Sequence, residues 1–105
     1  MEKNIRMVKG DTLAFGMELV DLNQDLDSAY FTCRAGYNGE QVFQKSIGNG
    51  ITKVETNKYR IRIAPADTAS LEAGKYVYDL QIGVNSDVFT LLIGMLEIDD
   101  DVTHS

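Results

Sequence analysis

Hydrophobic and polar residues alternate along most of this chain, and no long segment repeats its apolar residues at the period of a helix. Segment 13–19 has an apolar residue at every second position, and in segment 59–63 Arg60 and Arg62 separate the apolar positions. Such alternation is typical of β-strands that bury one face. We predict seven or eight short strands, at about 5–8, 13–19, 29–37, 41–47, 51–54, 59–63, 76–82 and 88–98.

Turn residues separate these segments. Asn38-Gly39 is a strong signal for a tight hairpin between two strands, and Asn85-Ser86 predicts another turn. The segment that follows, 88–98, carries apolar residues on both of its faces. We therefore expect this strand to lie at the centre of a sheet or to be covered on its second face.

The connections decide between fold classes. Parallel strands that follow each other in sequence need long crossovers, usually helices. The chain offers only one short helical turn, near residues 66–71, where Pro65 ends a strand and Asp67 or Thr68 is placed to cap the turn. We predict one domain over residues 1–105, an antiparallel β-sandwich, and the alternation alone fits a small closed barrel equally well.

Composition narrows the function classes. The chain has 105 residues, is 44% hydrophobic and carries 10 basic against 16 acidic residues, for a net charge of −6. This composition is that of an ordinary globular domain and excludes a disordered chain. An acidic balance argues against nucleic acid and anionic membranes as partners. No apolar run has the length of a membrane span, so we expect no membrane insertion.

Few residues are suited to catalysis. The single cysteine, Cys33, is in phase with apolar neighbours and is predicted to be a small buried side chain. The single histidine, His104, stands close to the end of the sequence, so a Cys/His pair is not indicated. No phosphate-binding glycine pattern and no zinc-ligand spacing is present. We therefore predict no enzyme activity, no catalytic or metal-binding residues and no cofactor.

Acidic residues cluster at two places. The loop from Asp21 to Asp27 begins with the spacing of a calcium loop, but it lacks the glycine and the final acidic ligand of a helix-loop-helix site. We interpret it as a solvated loop, with weak calcium binding left open. The run 99–101 is read as a solvated strand end that discourages edge pairing. Asp79 is predicted to pair with Arg60 or Arg62 across a sheet.

One local pattern points to a particular kind of sandwich. From Glu72 to Tyr78 the chain reads acidic-x-Gly-x-Tyr-x-large. This is similar to the entry into strand F of immunoglobulin-like domains, where a tyrosine hydroxyl bonds to the backbone a few residues upstream. Tyr76 would be this corner tyrosine, after Gly74, and Tyr78 would take the place of the usual disulfide cysteine. The alternative is that Tyr76 is an ordinary core tyrosine. The predicted fold class is thus all-β, an antiparallel immunoglobulin-like β-sandwich.

Several motifs in order carry a wider resemblance. They are Lys9-Gly10-Asp11-Thr12, Ile61-x-Ile63-x-Pro65-x-Asp67-Thr68, Leu71-x-x-Gly74-x-Tyr76-x-Tyr78-Asp79-Leu80, Val88-x-Thr90-Leu91-Leu92-x-Gly94 and Asp101-Val102-Thr103. Together, over nearly the whole chain, they resemble the immunoglobulin-like structural domains of tailed bacteriophages and prophages, in particular the N-terminal domain of baseplate upper proteins. The sequence departs from this pattern at Ser105, where many relatives continue into a coiled coil, and this puts a fibre-like or trimeric role in doubt.

The resemblance implies a virion component that is assembled in the cytoplasm of a bacterial host. Its partners would be other phage structural proteins and copies of itself, and it implies no catalytic residues. The leading hypothesis is a non-enzymatic assembly module of a tail, baseplate or neck. It would dock through a strand edge or a sheet face, with Val77 and Phe89 supplying apolar contacts.

The alternative is a β-sandwich that binds carbohydrate or another surface ligand. Such a module needs an exposed aromatic platform, for which Tyr30 and Tyr37 are the candidates in a chain without tryptophan. The residues that we single out, Asp67, Gly74, Tyr76 and Tyr78, are given structural roles.

Overall fold

The computed structural model describes residues 3–19, 23–36 and 39–100. Within these ranges the chain forms eight strands and one helical turn. In chain order they are β1 (Ile5–Val8), β2 (Leu13–Glu18), β3 (Ser28–Arg34), β4 (Gln41–Ile47), β5 (Gly50–Glu55), β6 (Lys58–Ile63), α1 (Pro65–Thr68), β7 (Gly74–Val84) and β8 (Asp87–Asp99). Each predicted strand segment corresponds to one of these strands, and the predicted all-β class is confirmed.

The strands join in one hydrogen-bonded sheet, in the order β1-β8-β7-β3-β4-β5-β6-β2. β3 and β2 are four positions apart in this order, which in a flat sheet is a separation of about 19 Å. The ring centroids of Phe31 on β3 and Phe15 on β2 are nevertheless only 5.9 Å apart. The sheet therefore folds over between β4 and β5 into a sandwich. We call β1, β8, β7, β3 and β4 the front layer and β5, β6 and β2 the back layer.

The terminal strands decide against a closed barrel. β1 and β2 stand at opposite ends of the strand order and do not pair with each other within the described residues. The arrangement of β8, β7, β3 and β4 in one layer and β5, β6 and β2 in the other corresponds to the strands G-F-C-C′ and D-E-B of an immunoglobulin-like sandwich.

Two of the strand pairs are parallel and depart from the predicted antiparallel arrangement. β1 pairs with β8 in parallel, and so do β4 and β5, over the rungs Ser46–Gly50 and Ile47–Ile51. The other pairings in the described part of the chain are antiparallel. β1 and β8 need no helical crossover because they are far apart in sequence. At β4–β5 the chain crosses between the layers in a tight turn, where Gly48 and Gly50 take φ values of +87° and +96°.

An aromatic cluster occupies the centre of the core. Phe31 has no exposed surface, and its ring centroid lies 5.9 Å from Phe15, 6.2 Å from Phe43 and 4.9 Å from Tyr78. In antibody domains a disulfide joins strands B and F and packs against a tryptophan on strand C. Here Phe15, Tyr78 and Phe31 stand on the corresponding strands, so aromatic packing replaces the disulfide.

The single cysteine is also part of this core, as predicted. Cys33 is fully buried and directly opposite Tyr78 in the sheet. Burial raises the pKa of the Cys33 thiol to about 12. At neutral pH the group is therefore a protonated, weakly reactive thiol.

The structure describes one of the two predicted hairpin turns in full. Asn85 and Ser86 join β7 to β8 with φ values of 54° and 70°, the left-handed conformation that a two-residue hairpin requires. Asn38 lies outside the described residues. On either side of it, Ala35 N donates to Glu40 O at 3.0 Å, so β3 and β4 do form a hairpin.

Candidate functional site

Asp67 links the helical turn to the front layer. Its Oδ2 accepts a hydrogen bond from the backbone N of Ala64 at 2.7 Å and lies 2.7 Å from Nζ of Lys45 on β4. The side chains of Lys45 and Asp67 are only 10% and 16% exposed. Asp67 is the third residue of α1, which spans Pro65–Thr68, and Ala64 holds the cap position. Neither Asp67 nor Thr68 therefore holds the predicted N-cap position, but the Asp67 carboxylate does cap the turn from its third residue.

Thr68 ties the same turn to the N-terminal part of the chain. Its side chain is fully buried, and its Oγ1 accepts a hydrogen bond from the backbone N of Gly10 at 2.9 Å. Gly10 follows β1, so α1 holds both the start of the chain and β4 in place.

The hydroxyl of Tyr76 donates a hydrogen bond to the backbone carbonyl of Glu72 at 2.6 Å. This is the contact that defines a tyrosine corner, and it closes the loop that enters β7. Gly74 between them has φ +154°, a conformation that other residues rarely adopt, and no neighbouring atom would meet a Cβ there. Glycine is therefore required at position 74 for its backbone conformation and not for space.

We expect Tyr76→Phe to lower the free energy of unfolding by about 0.5–1.5 kcal/mol, because it removes one hydrogen bond and keeps the ring. Urea denaturation of the wild type and the variant measures this difference, provided that the free energy of unfolding falls with urea concentration at the same slope in both. Tyr30→Phe is the control, since the Tyr30 hydroxyl makes no hydrogen bond within the described residues. Equal losses in the two variants would contradict a corner role for Tyr76.

Tyr78 holds the N-terminal segment against the front layer. Its ring is 3% exposed, and its hydroxyl donates to the backbone carbonyl of Lys3 at 2.5 Å. Lys3 N in turn donates to Ile93 O at 3.0 Å. A Cβ at Gly94 would lie 2.0 Å from Lys3 O, so this close crossing requires glycine. The sequence placed Tyr78 in the core but did not indicate this partner.

A set of outward side chains forms the most extended candidate surface. Core residues such as Phe31, Cys33 and Leu80 point inward, so the residues between them on the same strands point outward. We call this surface the front face. Its members are Tyr30, Thr32, Arg34, Gln44, Val77, Asp79, Gln81, Thr90, Ile93 and Met95.

One half of the front face is apolar. Met95 is directly opposite Val77, and Ile93 is directly opposite Asp79, so these side chains share one side of the sheet. Ile93 is 48% and Met95 36% exposed, and Val77 is half-buried. Of the two alternatives for segment 88–98, the structure agrees with an interior strand, since β8 lies between β1 and β7. A covered second face is not found in the described part of the chain, because Ile93 and Met95 face outward.

The other half of the front face is polar. Gln44 Nε2 donates to Oγ1 of Thr32 at 2.9 Å in the middle of the layer. Asp79 is directly opposite Thr32, and Arg34 lies two residues further along β3. Neither makes an ion pair with the other described residues. The predicted pairing of Asp79 with the arginines of segment 59–63 was wrong, because that segment lies in the back layer.

The two apolar residues predicted for docking lie on different sides of the sheet. Phe89 is directly opposite Ile82, which is buried in the core, whereas Val77 belongs to the front face. A register shift between Leu80 and Gln81 leaves one extra residue, Leu91, on β8 and reverses the alternation there. Phe89 is still 48% exposed, because the hairpin extends past the core.

The acidic run that begins at the last residue of β8 is partly neutralised. Arg6 Nε donates to Asp99 Oδ2 at 2.6 Å, and this hydrogen bond is the main cause of a raised pKa of Arg6. Lys9 Nζ lies 3.8 Å from Asp100. Asp99 is thus part of a paired strand and not of a free acidic tail. Asp101 and His104 lie outside the described residues.

The proposed calcium loop is used for other contacts. Asp25 pairs with Lys53 Nζ at 2.8 Å, and Asp27 Oδ2 accepts from the backbone N of Asn85 at 2.9 Å. Asp21 lies outside the described residues. Over residues 3–19, 23–36 and 39–100, no group of three or more acidic, cysteine or histidine side chains is placed to hold a metal ion.

The structure describes one of the two tyrosines named for the carbohydrate hypothesis. Tyr30 is 41% exposed on the front face, and Tyr37 lies outside the described residues. The exposed ring of Tyr30 gives by itself no specific reason to favour a sugar ligand. In the part of the chain that the structure describes, no helix is long and apolar enough to cross a membrane.

Comparisons with known proteins identify similar folds. No protein-family model matches the chain, and no curated protein is similar to it in sequence. The immunoglobulin-like domain of mouse leukocyte-associated immunoglobulin-like receptor 1, in a strand-swapped dimer, is 10% identical with a TM-score of 0.57, over 90% of this chain and 86% of that one. A swine CD8aa homodimer is 9% identical with a TM-score of 0.51, over 97% and 96% of the two chains.

A third similar structure is a putative glycoside hydrolase from Bacteroides vulgatus, which is 16% identical with a TM-score of 0.58. The alignment covers 94% of this chain but only 17% of that one, so the similarity concerns one part of a larger protein. Because the sequence identities are only 9–16%, these comparisons show the fold of the chain alone. Together with the strand order, they show that the chain has an immunoglobulin-like β-sandwich fold.

Proposed function

We propose that this protein is a non-enzymatic docking module that binds another protein through the front face. The observation that carries the proposal is the exposed apolar strip of Val77, Ile93 and Met95 beside the polar residues Arg34 and Asp79. Protein interfaces combine an apolar centre with polar and charged groups around it in this way. The strip lies on hydrogen-bonded strands in the middle of a layer, so a partner would meet a rigid surface.

We further propose that a second copy of the chain is one partner. Arg34 and Asp79 have opposite charges and stand two rungs apart, on the same side of the sheet. A two-fold axis through the front face would place Arg34 of each copy opposite Asp79 of the other, as a self-complementary interface requires. Two of the similar structures are dimers, the mouse receptor domain and swine CD8aa, and this supports the proposal by analogy of fold.

Sedimentation equilibrium on Ile93→Glu tests the proposal. Burying an unpaired carboxylate in the strip is expected to weaken self-association by at least about tenfold. Val54→Glu is the matched control, because Val54 is 61% exposed on β5 in the back layer and the same charge is added. A wild-type protein that stays monomeric at millimolar concentration, or equal weakening by both variants, would contradict the second copy as partner.

The finer proposal is that the module belongs to a phage or prophage particle. The ordered motifs that include Pro65, Asp67, Gly74 and Tyr76 support it, and the immunoglobulin-like fold is compatible with it. Mass spectrometry of purified particles from a strain that carries the gene tests it, and we expect the chain in stoichiometric amounts. Its presence only in the particle-free fraction would contradict a virion location.

A further inference from the structure

The outer edge of β2 differs from the other strand edges. β2 pairs with β6 on one side, and the described residues place no strand on its other side. Its inward residues Leu13, Phe15 and Met17 are only half-buried, whereas the β6 residues opposite them, Ile63, Ile61 and Tyr59, are at most 2% exposed. The core is therefore open along this edge.

β2 also has little of the usual protection of an edge strand. Natural sheets blunt their edges with very short strands, charged side chains, proline or bulges. At the opposite end of the sheet, β1 has only four residues and carries Arg6. β2 has six residues, with Ala14 and Gly16 facing outward, and its pairing with β6 is regular throughout. Its one charged residue, Glu18, stands at its last position, opposite Lys58. Its free backbone groups are accessible to an added strand.

A shallow groove lies on the outer side of this edge. It is lined by Ala14, Gly16 and Glu18 of β2, by Lys58 and Arg60 of β6 and by Val54 of β5. Because Ala14 and Gly16 have almost no side chain, nothing on β2 separates the cationic side chains of β6 from the next strand position.

The arginines in and beside this groove define a ligand class. Arg60 is directly opposite Gly16, and Arg62 is directly opposite Ala14. Both arginines are exposed and make no ion pair with the rest of the described chain. A strand added to β2 would lie about 10 Å from β6, a distance that an arginine and a glutamate side chain extending toward each other can span. Its outward residues at every second position would meet Arg60 and Arg62 in turn.

We propose that the β2 edge binds an extended acidic segment of a partner protein by strand addition. The backbone of the segment pairs with β2, and its inward apolar side chains cover Leu13, Phe15 and Met17. Its outward carboxylates pair with Arg60 and Arg62. This surface is on the side of the molecule opposite to the front face and does not depend on the function proposed above.

Synthetic peptides of alternating valine and glutamate, labelled with fluorescein, test this proposal by fluorescence anisotropy. We expect saturable binding, and at least about tenfold weaker binding of the valine–lysine peptide. Successive amides of a strand point to opposite edges, so N-methylation of alternate amides gives two matched peptides. One of them should bind like the parent and the other should not bind.

Two protein variants locate the site. Arg60→Glu is expected to weaken binding of the acidic peptide by at least about tenfold, because it reverses a charge in the groove. Lys75→Glu changes the net charge by the same amount, but Lys75 is an exposed residue of β7 in the front layer. This variant should therefore have little effect on peptide binding. Ile93→Glu should also leave binding unchanged, which separates this site from the front face.

Other outcomes overturn the proposal. Equal binding of the two N-methylated peptides would exclude strand addition. Equal effects of Arg60→Glu and Lys75→Glu would show a response to net charge alone. No binding of the valine–glutamate peptide at millimolar protein would exclude the ligand class.

Discussion

Phe31→Ala is expected to lower the free energy of unfolding by about 3–5 kcal/mol. The ring of Phe31 is fully buried and contacts Phe15, Phe43 and Tyr78, which come from both layers of the sandwich. Its removal leaves a cavity at the point where these layers meet. Since small domains are stable by only about 5–15 kcal/mol, the variant would lose a large part of its stability. Guanidinium denaturation followed by circular dichroism measures the change.

Phe89→Ala is the matched control for this prediction. It removes the same atoms from a side chain that is 48% exposed on the β7–β8 hairpin. We expect it to cost about 1 kcal/mol or less, because little apolar surface returns to water. Similar costs for the two variants would show that the aromatic cluster is not the centre of the core.

Asp67→Ala is expected to destabilise the protein by about 3 kcal/mol. The substitution leaves the ammonium of Lys45 without its partner in a site where the lysine side chain is only 10% exposed. It also removes the acceptor of the Ala64 backbone N–H. Thermal and urea denaturation of the variant measure the loss.

A second substitution shows how the loss arises. In Lys45→Met/Asp67→Ala no charge remains at the site, so we expect a smaller loss than for Asp67→Ala alone. Asp25→Ala breaks an exposed ion pair with Lys53 and is expected to leave stability almost unchanged. The cycle also needs Lys45→Met alone. If the stability loss of Lys45→Met/Asp67→Ala equals the sum of the losses of Lys45→Met and Asp67→Ala, Lys45 and Asp67 are not coupled.

Local patterns in the sequence predicted the elements well. Alternation placed strands at 41–47 and 59–63, and the structure has Gln41–Ile47 and Lys58–Ile63. The contact between Tyr76 and Glu72 joins residues only four positions apart, so a short motif contains both partners. The burial of Cys33 followed from its phase within one strand.

Contacts between distant residues were missed. Lys45 and Asp67 are separated by more than twenty residues, and nothing near either one indicates the other. The alternation showed that Asp79 faces outward but not which layer it belongs to. The extra residue Leu91 on β8 reverses the phase within one strand, so counting by two from Val88 assigns the later side chains to the wrong side.

The sequence by itself determined the all-β class, the approximate positions of the strands, the turn at Asn85-Ser86 and the burial of Cys33. These features depend on residues a few positions apart, because a strand with one buried face repeats every two residues. Only the tertiary structure decided that β1 and β8 pair in parallel, that Ile93 and Met95 share the front face with Val77, and that no other described strand pairs with the outer edge of β2. Each of these depends on which strands become neighbours, and that is set by packing between residues far apart in the chain.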